Sequence, residues 1–149
     1  MSEADGVLFV CTGNTCRSPL AEALWQLVTR DLPGSSAGVA AWPGMPAADH
    51  AVDVARVFGV SLDAHRSRRL EDVTEPVRLV LAMTEDHRRR ILQARPMWDG
   101  RVHLLTEAAG SAGDIGDPIG SSVEVYRSLA ERLLHLEEEI WRRMRAGLS

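Results

Sequence analysis

Cys11 and Arg17 lie six positions apart in the segment Val10-Cys11-Thr12-Gly13-Asn14-Thr15-Cys16-Arg17-Ser18-Pro19, and together they can perform nucleophilic chemistry on an anion. A cysteine attacks as its thiolate, which needs positive surroundings at neutral pH. The apolar run Val7-Leu8-Phe9-Val10 precedes the segment and a helical pattern follows it. At such a strand-loop-helix junction, loop N–H groups and the helix N-terminus direct positive partial charge into the loop. The same N–H groups can cradle three oxygens of a phosphate while a guanidinium clamps two of them. Thr12, Gly13, Asn14, Thr15, Cys16, Arg17 and Ser18 are therefore the candidate phosphate-binding residues. Ser18 and Pro19 suit the N-cap and first turn of the helix.

The spacing Cys-x5-Arg followed by Ser is the phosphate loop of cysteine-dependent phosphatases. Over the thirteen residues Val10 to Glu22 the segment resembles the low-molecular-weight protein tyrosine phosphatase family, and the resemblance extends over nearly the whole chain. It implies a single phosphatase domain over residues 1–149 that works through a phosphocysteine intermediate on Cys11. A phosphorylated leaving atom departs poorly without a proton, so an acid must face the nucleophile and later serve as base for water. Asp117-Pro118 is the candidate, because the family carries its acid in an Asp-Pro pair just before the last helix. Asp114, three residues earlier, reads as a helix or turn cap.

Two further segments extend the likeness: Ser36-Ala37-Gly38, and Gly59 to His65. They imply a hydrogen-bond network of Asn14, Ser36 and His65 behind the phosphate loop, with Ser18 bonding the thiolate as it leaves. Asn14 suits the left-handed backbone such a loop demands.

Substrate choice rests on Thr15, Trp42 and Ile119. Tyrosine-specific relatives usually carry an aliphatic residue where this chain has Thr15, and aromatic side chains after Asp-Pro, where Ile119-Gly120-Ser121 stands here. A loop threonine with Asp-Pro-x-Gly-x-Ser is similar to the protein-arginine phosphatase branch, so phosphoarginine is the expected substrate and phosphotyrosine the alternative. Ile119, in place of an aromatic residue common in that branch, and Trp42, either an aromatic wall or a half-buried loop anchor, favour the alternative. Cys11 and Cys16 are the only cysteines. Arsenate reductases of the same fold relay a disulfide to a further cysteine, which this chain lacks. A silent phosphoprotein-binding module would be expected to lose Cys11, Arg17 or Asp117, and all three are present. Cys16 shares the loop with Cys11, so a reversible disulfide between them is an expected redox response, with a small buried filler as the other reading of Cys16.

Apolar runs at Val7–Val10, Ser35–Val39, Val77–Met83 and Val102–Leu105 read as strands. Helical patterns span Pro19–Arg30, Pro46–Phe58, Glu85–Arg95 and Val123–Arg145. The first buries Leu20, Ala23, Leu24, Leu27 and Val28. The last carries a stripe of Tyr126, Leu129, Ala130, Leu133, Leu136, Glu137, Ile140 and Met144, with Glu138/Arg142 and Glu139/Arg143 paired on its wet side. Strand-helix alternation predicts an α/β fold: a four-stranded, doubly wound parallel sheet with helices on both faces. Its site belongs at the carboxyl edge, at the switch point beside the first strand.

The 149 residues suffice for one core, and a net charge of −4 argues against an extended nucleic-acid footprint. The run His87-Arg88-Arg89-Arg90 reads as a solvated helix face. No apolar run approaches a membrane span, and residues 1–6 lack a signal-peptide pattern, so a cytoplasmic protein is expected. No second Cys or His pair stands at ligand spacing, so neither metal nor cofactor is expected. The expected partners are phosphorylated proteins, acted on by a monomer or weak dimer.

Overall fold

The computed structural model describes residues 5–147; residues 1–4, part of the opening segment from which no leader is expected, and residues 148–149 lie outside the described part. Strands β1 (Gly6–Cys11), β2 (Gly34–Gly38), β3 (Val77–Ala82) and β4 (Val102–Leu104) form one parallel sheet in the order β2-β1-β3-β4. The chain moves to one side of β1 for β2 and to the other for β3, which creates the switch point beside β1. Helices α1 (Arg17–Val28), α2 (Asp49–Val57), α3 (Glu85–Ala94), α4 (Leu105–Ala108) and α5 (Val123–Arg145) connect or follow the strands.

Side chains alternate across β1 and divide the core in two. Val7, Phe9 and Cys11 join the cluster built with α1, α2 and α5. Leu8 and Val10 face the other cluster, with Val80, Ala82, Ile91 of α3, and Leu70 and Trp98 from two short 3-10 turns. Trp25 links the first cluster. Its ring meets Phe9 and Trp141 edge-on, and its indole N–H donates to the Leu32 carbonyl at 2.9 Å.

The long stripe of α5 is buried at every expected position, Glu137 included. Four expectations need correction. First, α1 starts at Arg17 with Cys16 at its N-cap, two residues before Pro19, because Ser18 turns inward instead of capping. Its buried apolar face carries Leu20, Ala21, Ala23, Leu24 and Trp25, so Leu20, Ala23 and Leu24 lie inside as expected, whereas Leu27 is 50% exposed and Val28 only partly buried. Second, α2 starts at Asp49, because the Ala48 N–H is drawn to the Thr15 carbonyl and the preceding residues strap the phosphate loop. Third, Leu105 opens the short helix α4 instead of ending β4, and the Glu107 carboxylate accepts the Leu104 N–H. Fourth, Glu139 takes both Arg142 and Arg143, so the expected Glu138/Arg142 pair is replaced by an i,i+3 pair.

Candidate active site

Cys11 ends β1, residues 12–16 form the loop, and Arg17 opens α1. Asn14 has φ +59°, the only left-handed non-glycine residue among the described ones. Three loop carbonyls accept bonds from outside: Thr12 from Ala40 N–H, Thr15 from Ala48 N–H, and Asn14 from His65 Nε2 at 2.8 Å. A trans peptide points its C=O and N–H in opposite directions. The N–H groups of Gly13, Thr15 and Cys16 therefore face the other side of the loop, where an oxyanion can sit.

Behind the loop, Asn14 Nδ2 donates to Ser18 Oγ at 2.8 Å and to Ser36 Oγ at 2.9 Å, and Ser36 in turn donates to Glu22. Asn14 Oδ1 accepts the Arg68 N–H at 3.0 Å. Both Asn14 and Ser36 are buried, so every bond that Asn14 makes also fixes the strained turn at φ +59°. Ser18 Oγ lies 2.9 Å from Cys11 Sγ. Asn14 already donates to that oxygen, so the Ser18 proton has two acceptors in reach, the sulfur at 2.9 Å and the Ala37 carbonyl at 3.5 Å, of which the sulfur is the nearer. A Cβ at Gly38 would fall on the Thr12 carbonyl oxygen and within 3.1 Å of the Asn14 nitrogen, so only glycine lets β2 approach the loop this closely.

Arg17 is buried, and its Nη1 donates to the Ile115 carbonyl at 2.9 Å. Its Nη2 contacts Thr12 Oγ1 at 3.4 Å and lies 3.8 Å from Asp117 Oδ2. Asp117 is half exposed, and its Oδ1 accepts the Ile119 N–H at 3.0 Å, an Asx turn that aims Oδ2 back at the loop. Asp114 accepts the Glu85 N–H at 2.9 Å, a helix cap that ties the 113–118 loop to α3. Cys11, Arg17, Asp117, Ser18, Ser36 and His65 are thus one connected constellation. A thiol, a guanidinium and a carboxyl at one loop can together attack, bind and protonate a phosphorylated group.

The proposed specificity residues are placed less uniformly. Thr15 is half-buried, with Oγ1 3.8 Å from Cys16 Sγ. Trp42 is 78% exposed; Ser67 Oγ holds its backbone carbonyl while the ring stays in solvent, which removes the half-buried anchor reading. Ile119 is 65% exposed. Cys11 and Cys16 are both free and buried, and burial pushes the Cys16 thiol up, against a 3.4 Å contact with the Tyr126 hydroxyl.

Sequence reasoning missed three participants. Arg68 anchors Asn14, donates Nε–H to the Ser36 carbonyl and forks onto Glu75, which its guanidinium holds down to about 2. Gly38 admits the loop. His87 is 3% exposed and reaches Thr12 Oγ1 at 2.7 Å, contrary to the solvated-face reading, which holds only for Arg88, Arg89 and Arg90 and their acidic partners. The spacing of His87 and Ile91, four apart on one helix face, was the available signal.

The chain matches the family described as low molecular weight phosphotyrosine protein phosphatase over residues 6–146. It is 35% identical to a protein-arginine-phosphatase of Bacillus subtilis (strain 168), across 93% of this chain and 96% of that protein. Identity to a protein-arginine-phosphatase of Geobacillus stearothermophilus is 42%, across 85% and 87%. Among solved structures, a mutant of YwlE arginine phosphatase with a phosphorylated active-site serine superposes with a TM-score of 0.88 at 36% identity, covering 94% of this chain and 95% of that one. The chain belongs to the low molecular weight phosphotyrosine protein phosphatase family.

Proposed function

We propose that this phosphatase hydrolyses phosphoarginine in proteins. The Cys11 thiolate attacks phosphorus; the S–P bond forms as the P–N bond breaks, and Asp117 gives its proton to the departing guanidine nitrogen. Arg17 and the loop N–H groups hold the equatorial oxygens through the transition state. Asp117 then takes a proton from water as water attacks the phosphocysteine, and the sulfur leaves as a thiolate bonded by Ser18. The active-site serine that is phosphorylated in the YwlE mutant supports a covalent phosphoenzyme route.

One observation carries the substrate reading: both relatives described above are named protein-arginine-phosphatase, and the Thr15 hydroxyl in the loop agrees with it. An exposed Trp42 ring favours phosphotyrosine as the second reading, and relatives named as tyrosine phosphatases stand at 32–33% identity. The test compares initial rates on one peptide carrying either phosphoarginine or phosphotyrosine. A higher kcat/KM for phosphoarginine is expected; a preference for phosphotyrosine transfers the assignment to the second reading.

The substrates are phosphorylated proteins met in the cytoplasm by a monomer or weak dimer that requires no cofactor. Among the described residues no helix is long and apolar enough to cross a membrane. Oxidation of Cys11 to a sulfenic acid and capture by Cys16 gives a reversible off-state, with water as the leaving group. Peroxide-treated enzyme recovers with dithiothreitol, and Cys16→Ser recovers less; equal recovery removes the protective role.

A further inference from the structure

His87 is the one buried imidazole in contact with the phosphate loop that the phosphatase chemistry leaves without a task. Helix α3 delivers it: Thr84 caps the helix by accepting the His87 N–H at 3.1 Å, which sets the imidazole on the inward face. Nε2 lies 2.7 Å from Thr12 Oγ1, and Nδ1 is buried with no hydrogen-bond partner. An unpaired buried nitrogen is a standing cost, which the 2.7 Å contact of Nε2 with the loop helps to offset. Burial first, and then the Arg17 charge, push His87 down to about 4, so the ring is neutral near pH 7 and holds one proton.

We propose that His87 is a positioning residue for the phosphate-binding arginine, acting through the Thr12 hydroxyl. Arg17 Nη2 donates toward Thr12 Oγ1, and Thr12 donates its own proton to His87 Nε2, so the ring proton resides on Nδ1. The chain runs in one direction, away from the guanidinium, and presents the ring's lone pair toward the cation. Each bond in such a chain polarises the next, which makes Thr12 Oγ1 a better acceptor. Together with the Ile115 carbonyl it holds Arg17 on two neutral acceptors, with Asp117 Oδ2 no nearer than 3.8 Å. The guanidinium then stands spread for a phosphate instead of collapsed onto the acid, and Asp117 is left free of a two-bond ion pair. The inference rests on the phosphatase reading of the loop.

Calorimetric titration with inorganic phosphate tests it, beside kcat and KM on an aryl phosphate and a thermal melt. His87→Phe removes the acceptor at similar breadth, and Thr12→Val removes the relay from an exposed position. Each should weaken phosphate binding about fivefold, the value of one neutral hydrogen bond. The double variant should lose no more than either alone, since both cut one chain. His87→Gln, whose side-chain oxygen can take the place of Nε2, should bind within about twofold of wild type, and His87→Phe should melt no lower. Wild-type phosphate affinity in His87→Phe or in Thr12→Val overturns the proposal, as do additive losses, or losses that track a lowered Tm in every variant. If His87→Phe does not fold, Thr12→Val and His87→Gln still decide it. A wild-type protein that binds no phosphate instead refutes the phosphatase reading itself.

Discussion

The Ser18 hydroxyl lies 2.9 Å from the Cys11 sulfur and is itself held by Asn14 at 2.8 Å, with the Ala37 carbonyl, its other acceptor, farther away at 3.5 Å. A hydrogen bond to a charged group contributes about 1.5–3 kcal/mol. Ser18→Ala should therefore slow turnover by about ten- to a hundredfold, and most severely the step in which sulfur leaves. Rapid-quench kinetics should show the phosphoenzyme accumulating; an unchanged steady-state rate would contradict the role of Ser18.

Asp117 hangs from an Asx turn in an exposed loop, so its removal should leave the cradle intact. Asp117→Asn should lower kcat by about 10²–10⁴ with little change in phosphate affinity. The loss should shrink for aryl phosphates with acidic phenols, which depart without a proton. A loss of equal size across leaving groups of different acidity would assign the proton to another donor.

The proposed specificity role of Thr15 is open to direct test. Thr15→Ile removes a hydroxyl and adds apolar bulk beside the sulfur of Cys16. An unpaired polar group on the substrate costs about 1–3 kcal/mol, so the kcat/KM ratio should move toward phosphotyrosine by about ten- to a hundredfold. An unmoved ratio, measured on paired peptides, separates Thr15 from specificity.

Glu137 sits inside the α1/α5 cluster with neither carboxyl oxygen partnered, and burial raises it well above the usual carboxylate range. The folded protein therefore keeps a proton that the unfolded chain releases above about pH 4.3. Stability from this group is fully present below that pH and is lost as pH rises toward the folded value. Glu137→Leu should stabilise the protein by about 2 kcal/mol at pH 8 and by much less at pH 4. Denaturant titrations at the two pH values would show this; a variant less stable than wild type at pH 8 would mean that the carboxylate is ionised and paired in the fold.

The strands and long helices were legible because their signals are periodic and local. β1 is apolar throughout and β3 at every position but Arg78, as central parallel strands are, and the α5 stripe can be read off at i, i+3 and i+4. The loop motif placed Cys11 and Arg17, and the Asp-Pro pair placed Asp117, because each is contiguous in sequence. What stayed hidden depends on distant backbone. Arg68 serves Asn14 through its N–H, which any residue type possesses, so its identity carries no signal for that bond. Gly38 reads as an ordinary strand glycine until the Thr12 carbonyl stands against it. His87 was masked by three arginines that are solvent-facing in the way the charge run implies. The start of α1 moved because a serine before a proline can cap a helix, but this one faces a sulfur 2.9 Å away.

Ile115 is a buried peg in a mostly exposed loop: its N–H donates to the Met83 carbonyl and its own carbonyl receives Arg17. Cys11 belongs to the central strand, whereas Asp117 lies on a surface segment tied down through Ile115, the Asp114 cap on α3 and the Gly113 carbonyl, which accepts from Thr106 Oγ1. The two halves of the reaction therefore reside on parts of the molecule with different local unfolding free energies. Amide protons of residues 8–11 should exchange only with global unfolding, and those around residues 116–121 far sooner. On warming, proton delivery by Asp117 and the Ile115 hold on Arg17 should fail before the rest of the fold, so activity is expected to be lost below the melting point, which activity and melting curves recorded side by side would show.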